Sequence, residues 1–557
     1  MYSFTKETNA RNLEVIKIYE TNSSQYISLN SEVSAHKEIE KFGKQIESNK
    51  CYFIIGSGNG ILLQYLLDMN FNSKFYIIEI FDEIDYEEGY KKKLHGQNIY
   101  FYHVTNLNYI IISSAIRDAL GMNVEILIHP NYEKLNKELI TPAIEKIKMG
   151  TTTAKINKNT ERFFMFEWLT EPILNLALSK KGKNLLDIKE HFENKPFILV
   201  ASGPSLIDNL DFIKENKDKA YIIASGSAVN GLINENIIPD FVTIIDASVV
   251  NFTAHFQNTK YNGPIITTGT TNHLILKHHQ GEIYFTNLDQ DTITKEVRPE
   301  ILGIPTVPSV ALYSLLLTHY LGASEVFLVG QDLALNNGEY YAPGVHKHDA
   351  IKNLGPTKEV NGNFIDKVVT TLPLASTLES FNNAISIIQN VNNKIQIYNL
   401  SKIGAKIEGV SYKDVNEIQL EEILDKSWIP QMSMKKSIDY TFSIEYLDKM
   451  KACKEKVDEV LIKIDKMNTN AVTLHDLQKL LKLVKKLREN DVLEKHILNM
   501  IYSSTKAINN MFEYGFENNF QTNSERVEML NKLKFFVKYI QEYLDNLLCH
   551  HAWSEMK

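Results

Sequence analysis

The rhythm of apolar and polar positions changes twice along the chain. Over residues 1–190 a polar opening gives way to the apolar run Cys51–Ile55, the loop GSGNG, an amphipathic stretch at 61–68 and a second apolar run, KFYIIEI. That order predicts strand, turn, helix and strand. VEILIHP at 124–130 adds another buried strand ending at a proline, after which the sequence turns helical and polar. The Thr-, Lys- and Asn-rich stretch between Gly150 and Thr160 reads as a linker.

From about 190 to 410, short continuous apolar runs alternate with segments of helical spacing. The runs fall at 197–201, 221–224, 241–245, 264–268, 282–285, 325–330 and 394–400. Strands apolar on both faces and separated by helices predict a largely parallel sheet covered on both sides. Beyond about 415 the strand signal stops. Ile444, Leu447, Met450, Val457, Val460, Leu461 and Ile464 recur at three- and four-residue steps, as do Leu474 to Leu487 and Val527 to Leu544, so a helical bundle is expected. The expected class is α/β: a Rossmann-like domain over 1–150, a helical linker over 151–190, a central doubly wound domain over 191–412 and a helical domain over 413–557.

Composition narrows the function. At 557 residues the chain exceeds what one core organises. Sixty Lys and Arg against 68 Asp and Glu leave a net charge of -8, so no global positive field draws in nucleic acid or an anionic membrane, and an anionic ligand must be held locally. Cys51, Cys453 and Cys549 are too far apart for a CxxC site, which fits a reducing compartment. With no apolar leader and no run of roughly 18 apolar residues, a cytoplasmic protein without a membrane span is expected.

Candidate chemistry sits where strands end. Gly56, Gly58 and Gly60, with Glu79 closing the next strand, suit a nucleotide or S-adenosylmethionine; the competing reading, which we favour, is a tight structural turn. FILVASGPSL is sharper. There Ser202, Gly203, Pro204 and Ser205 place hydroxyls and backbone amides at a helix start, an anion or ribose site. Ser225, Gly226 and Asn230 repeat the logic after the next strand, Asp246 ends a third, and Gly330, Gln331 and Asp332 end another. Such loops share the ligand-binding edge of an open sheet. No P-loop and no His-Glu-x-x-His motif is found.

The series ASGPSL, ASGSAVNGL, IIPDFVTIIDAS and VGQDLAL, followed by NLSKIGAKIEGV at 399–410, resembles the central domain of the motility-associated factor (Maf) flagellin glycosyltransferases, a domain similar to bacterial sialyltransferases. The resemblance implies transfer of a nonulosonic acid, of pseudaminic or legionaminic type, from a CMP-activated donor to Ser or Thr of flagellin. It implies Ser202, Gly203, Pro204, Ser205, Ser225, Gly226, Asn230, Asp246 and Gly330 around the donor, with Gln331 and Asp332 facing sugar and acceptor. A CMP-sugar leaves as a monophosphate, so neither metal nor cofactor is expected. Where the family shows a Thr-His-Ala-like motif this chain has Tyr340-Tyr341-Ala342; Tyr341 is then a hydrogen-bond donor to the phosphate, and His346 or His348 a candidate base. His273, His278 and His279 are expected in solvent on a polar helix. Two other readings stand beside this one. The central domain also resembles archaeal 6-hydroxymethylpterin diphosphokinases, in which Asp246 and Asp332 would hold Mg²⁺ for ATP, and a non-catalytic flagellin-binding protein would use the helical zone as a groove.

Overall fold

The computed structural model describes residues 2–21, 24–34, 37, 39, 42–48, 50–69, 71, 73–118, 123–345, 355–392, 394–430, 439–467, 471–498, 520 and 522–555. The chain divides into two compact units, Met1–Asn159 and Thr160–Lys557.

The first unit opens with an antiparallel sheet that the polar opening did not announce: β1 (Tyr2–Thr8), β2 (Glu14–Glu20) and β3 (Gln25–Ser28). Its strands are short and mostly polar, with Val15, Ile16 and Ile18 of β2 as the buried positions. β4 (Lys50–Ile55), β5 (Lys74–Glu79), β6 (Ile99–His103) and β7 (Asn123–Ile128) form a parallel sheet in the order β6-β5-β4-β7. Cys51 to Ile55 are fully buried, which explains the uninterrupted apolar run. The 45-residue helix Lys137–Lys181 begins in this unit and ends in the second. Gly150 to Thr160 lie inside it.

The second unit is built on one large sheet. Its strands are β8 (Lys183–Asn184), β9 (Pro196–Val200), β10 (Tyr221–Ser225), β11 (Phe241–Ile244), β12 (Ile265–Thr268), β13 (Ile283–Leu288), β14 (Gly303–Ile304), β15 (Glu325–Val329), β18 (Gln396–Asn399) and β19 (Ser411–Tyr412), with the hairpin β16 (Thr357–Asn361) and β17 (Lys367–Thr371) inserted before β18. The order is β14-β13-β12-β11-β10-β9-β15-β18-β19, with every neighbour parallel and β8 paired to β13. All seven apolar runs supply strands. One face packs Leu312, Leu315, Leu374 and Phe381 from the helices Val310–Tyr320 and Leu372–Val391. The other packs Phe212, Val229, Leu232 and Ile275 from the helices Leu210–Asn216, Val229–Asn234 and His273–His278. Phe197, Phe241, Phe285 and Phe327, all at 0% exposure, fill the layers between. Burial of each such ring contributes on the order of 1.5–3 kcal/mol.

The helices Thr441–Asp465, Leu474–Arg488 and Asn523–Leu548 share a core with Leu169, Ile173 and Leu176 of the long helix. Leu424, Trp428 and Ile429, between β19 and these helices, pack on the sheet instead. The Lys426 ammonium reaches the Asp240 carboxylate at 2.5 Å and the Ala220 carbonyl at 2.7 Å, while Trp428 stacks on His191 at 4.1 Å. Among the described residues no helix is long and apolar enough to cross a membrane.

Candidate active site at the carboxyl edge of the central sheet

β9 and β15 are adjacent, but the chain leaves β9 towards β10 on one side and β15 towards β18 on the other. At such a reversal the connecting segments diverge and a crevice opens beyond the carboxyl ends of the strands. The two loops bordering it are Ser202–Ser205 and Gly330–Asp332.

Asp332 holds these loops together. One carboxylate oxygen accepts the Ser205 amide at 2.8 Å, and the other accepts the Ser401 hydroxyl. Its backbone carbonyl accepts the Ala405 amide at 2.7 Å. The side chain is 3% exposed, and burial pushes its carboxyl up against the opposing hydrogen bonds from Ser205 and Ser401. Ser401 is fixed in turn: its amide donates to Asn399 Oδ1 at 3.1 Å, and its carbonyl accepts Asn363 Nδ2 at 2.7 Å from the tip of the β16–β17 hairpin. The packing around this latch leaves no room for side chains. A Cβ on Gly203 would lie 2.4 Å from Asp332 Oδ2, and one on Gly330 would lie 2.4 Å from the Ala201 carbonyl, at a φ of +66° that also favours glycine.

The latch changes what the loop can offer a ligand. The Gly203 amide donates to the Gly330 carbonyl at 2.9 Å and the Ser205 amide to Asp332, so neither is available as an anion donor. Hydroxyls remain. Ser202 Oγ lies 2.9 Å from Ser227 Oγ, which lies 3.4 Å from Ser225 Oγ, a chain of three hydroxyls joining the loops after β9 and β10. Pro204 opens the 3₁₀ turn Pro204–Asn209. The Gly226 amide donates to the Thr243 carbonyl at 3.1 Å. Asn230 spends both ends of its amide on the chain: Nδ2 donates to the His255 carbonyl at 2.8 Å and Oδ1 accepts the Thr259 hydroxyl at 3.0 Å.

Tyr341 reaches the same edge because the next amide, that of Ala342, donates to the Ser202 carbonyl at 2.9 Å. Burial pushes its phenol up, and the Asp246 charge adds to the shift, so the two side chains belong to one neighbourhood. Asp246 Oδ1 accepts the Ser248 amide at 2.8 Å. Gln331, 6% exposed, lines a small pocket with Ala201, Ile223 and Ser314. His346 and His348 lie outside the described residues.

Asp246 and Asp332 follow β11 and β15, three strand spacings apart, or about 14 Å at ~4.8 Å per strand. That distance excludes a shared Mg²⁺, whose oxygen ligands sit at about 2.1 Å. Among the described residues no group of three or more His, Cys, Asp or Glu is placed to hold a metal.

The expectation that all three histidines of the helix His273–His278 and its end face solvent needs correction. His278 is exposed as expected, but His273 is buried and His279 is half-buried; burial pushes the latter's imidazole down to about 4. In the first unit, the carboxylate that would serve a ribose is consumed internally. Glu79, at 0% exposure, accepts the Ser57 amide and hydroxyl at 2.9 and 2.7 Å and the Tyr132 hydroxyl at 2.9 Å. The Tyr132 ring lies against Gly56, 2.6 Å from where a Cβ would stand.

Ser401, Asn399 and Asn363 were not singled out as site residues from sequence. The signal for two of them was present in NLSKIGA, whose Asn399 and Ser401 support Asp332.

Residues 173–338 match the family described as 6-hydroxymethylpterin diphosphokinase MptE-like. Among solved structures the chain is similar to a Maf glycosyltransferase from Magnetospirillum magneticum AMB-1, with a TM-score of 0.52 at 13% identity, covering 98% of this chain and 93% of that one. At that identity the likeness establishes a shared fold. No curated protein matches the chain. The chain thus combines an MptE-like domain with the overall fold of a Maf glycosyltransferase.

Proposed function

We propose that this protein is a cytoplasmic glycosyltransferase that moves a nonulosonic acid, of pseudaminic or legionaminic type, from a CMP-activated donor to Ser or Thr of flagellin, supporting flagellar assembly and motility. The observation that carries this reading is the Ser202–Ser205 loop latched by Asp332 at the sheet's reversal point, in a chain that shares the fold of a Maf glycosyltransferase along nearly its whole length.

A departing nucleoside monophosphate carries less charge than a diphosphate and can be stabilised by hydroxyl donors preorganised at the site. In this reading Ser202, Ser225, Ser227 and Tyr341 supply those donors. Asp246 takes the donor's ribose or cytosine, and Gln331 faces the sugar. Asp332 is a positioning residue, because both its oxygens are engaged by the chain. Gly203, Pro204 and Gly330 shape the loops, while Gly226 and Asn230 hold the second loop against its neighbours.

The match of residues 173–338 to the MptE-like family favours a second reading, an ATP- and Mg²⁺-dependent diphosphotransferase. Thermal shift separates the two. A nucleotide at 100 times its Kd stabilises the fold by about 2.7 kcal/mol. CMP alone should raise the Tm; a rise with ATP and Mg²⁺ and none with CMP would replace the first reading by the second.

A further inference from the structure

The hairpin of β16 and β17 has one edge in use and one edge open. On β17 the Val369 carbonyl turns away from β16 and accepts the Leu335 amide at 2.8 Å. In an antiparallel pair the N–H and C=O of one residue point to the same side, and successive residues alternate. Val369 stands opposite Glu359, so the Glu359 N–H and C=O also turn out of the hairpin, as do those of Thr357 two residues earlier. The Asn361 carbonyl gives the same parity independently, because it accepts the Lys406 amide at 2.9 Å on that outer side. Beyond Asn361 the segment 404–406 fills the edge, with the Asn363 amide donating to the Gly404 carbonyl at 2.8 Å. Before it, among the described residues, the N–H and C=O of Thr357 and Glu359 have no partner, and both residues are exposed.

Two donors and two acceptors in strand register are a template for one kind of partner, an extended peptide. The ends of the large sheet offer no such edge: β14 and β19 have two residues each, against five in β16. Position favours the substrate as occupant. A strand laid along Thr357 and Glu359 lies end to end with segment 404–406, where the Ala405 amide donates to the Asp332 carbonyl at 2.7 Å, so the peptide runs to the rim of the crevice. The hairpin tip exposes Phe364 at 63%, 5.0 Å from the Tyr412 ring, and Val369 beside Glu359 is exposed too, which offers apolar contact to the peptide's side chains. A second copy is a poor occupant. Two β16 strands paired about their middle residue would set Glu359 against Glu359, and like charges directly opposite are destabilising.

We propose that the protein acceptor docks by adding an extended segment that carries its Ser or Thr to the outer edge of β16; this rests on the glycosyltransferase reading and states how its protein substrate is held. Threonine and other β-branched residues suit an added strand, and a basic or uncharged residue is favoured opposite Glu359.

The test uses the full chain with a CMP-nonulosonate and flagellin. Glu359→Pro removes the outward N–H and spares the bonds between β16 and β17, since an edge strand tolerates proline where the N–H faces solvent. It should fold and bind CMP like the wild type but raise the KM for flagellin about tenfold, with kcat kept at saturation. Glu359→Gln retains the N–H and should restore the lower KM. An unchanged KM in Glu359→Pro would overturn the proposal. Hydrogen exchange on the wild type reads the edge without any variant. The amides of Thr357 and Glu359 should exchange freely in the free protein and become protected with saturating flagellin, while those of Lys358 and Val360, bonded to β17, are protected in both. Flagellin modified without protection of the edge would overturn the proposal, and protection that grows with the concentration of the protein alone would assign the edge to a second copy instead. A wild type that leaves flagellin unmodified overturns the transferase reading, and this proposal with it.

Discussion

Asp332 Oδ2 accepts the backbone amide of Ser205 at 2.8 Å across 127 residues of chain. This one bond ties the end of β15 to the loop after β9 and fixes the mouth of the crevice. Asp332→Asn puts an amide NH₂ where one of two donors, the Ser205 N–H or the Ser401 O–H, must be accepted. Losing a charged hydrogen bond of this kind costs about 1.5–3 kcal/mol. Urea denaturation should show that loss and calorimetry a weaker affinity for CMP; an unchanged affinity would detach Asp332 from the donor site.

Gly203→Ala places a methyl group 2.4 Å from Asp332 Oδ2 and 2.5 Å from the Gly330 carbonyl. Neither neighbour moves without breaking the latch, so this variant should bind no CMP and melt earlier by several degrees, for a cost of about 1–3 kcal/mol. Gly303→Ala is the control, because nothing lies within 4 Å of its added carbon. Its Tm should stay near that of the wild type.

The GSGNG loop of the first unit should bind neither S-adenosylmethionine nor a nucleotide. Glu79 is fully used by Ser57, Tyr132 and the amides of Ile80 and Phe81, and the Tyr132 ring lies over Gly56. Calorimetry on the whole chain with S-adenosylmethionine should give no heat of binding. Saturable heat would show that Tyr132 moves aside for a ligand.

Asp291 sets a pH dependence of stability. It caps the helix Thr292–Val297 by accepting the Thr294 amide at 2.9 Å, and complete burial pushes its carboxyl up to about 6. Between about pH 4 and pH 6 the folded chain keeps a proton that the unfolded chain has already released, so stability falls as pH rises through that window. The contribution is about 3 kcal/mol. Asp291→Asn retains the cap and removes the titration. The stability of the wild type relative to this variant should therefore decline from pH 4 to pH 6, and a constant difference would contradict the assignment.

The strands of the second unit were readable because they are buried on both faces, as at Phe197 to Val200 and Phe241 to Ile244, where apolar residues run without interruption. β1, β2 and β3 escaped because their segments are short and mostly polar, with burial confined to Val15, Ile16 and Ile18 of β2. The hairpin of β16 and β17 escaped for the same reason, with Val360 and Val368 its main apolar anchors on the core. At the site, the loops at strand ends were readable from glycine, proline and serine directly after apolar runs. Their hydrogen-bond bookkeeping was not. That Ser205 and Gly203 spend their amides within the chain, or that Glu171 accepts the His273 amide, depends on partners 102 to 127 residues away. Local pattern carries no information about such pairs.

The most direct test of the central claim is the intact mass of flagellin from strains with and without this gene. The account predicts repeated mass increments of nonulosonate size that disappear when the gene is removed and return with the wild-type chain. Flagellin of identical mass in both strains would contradict it.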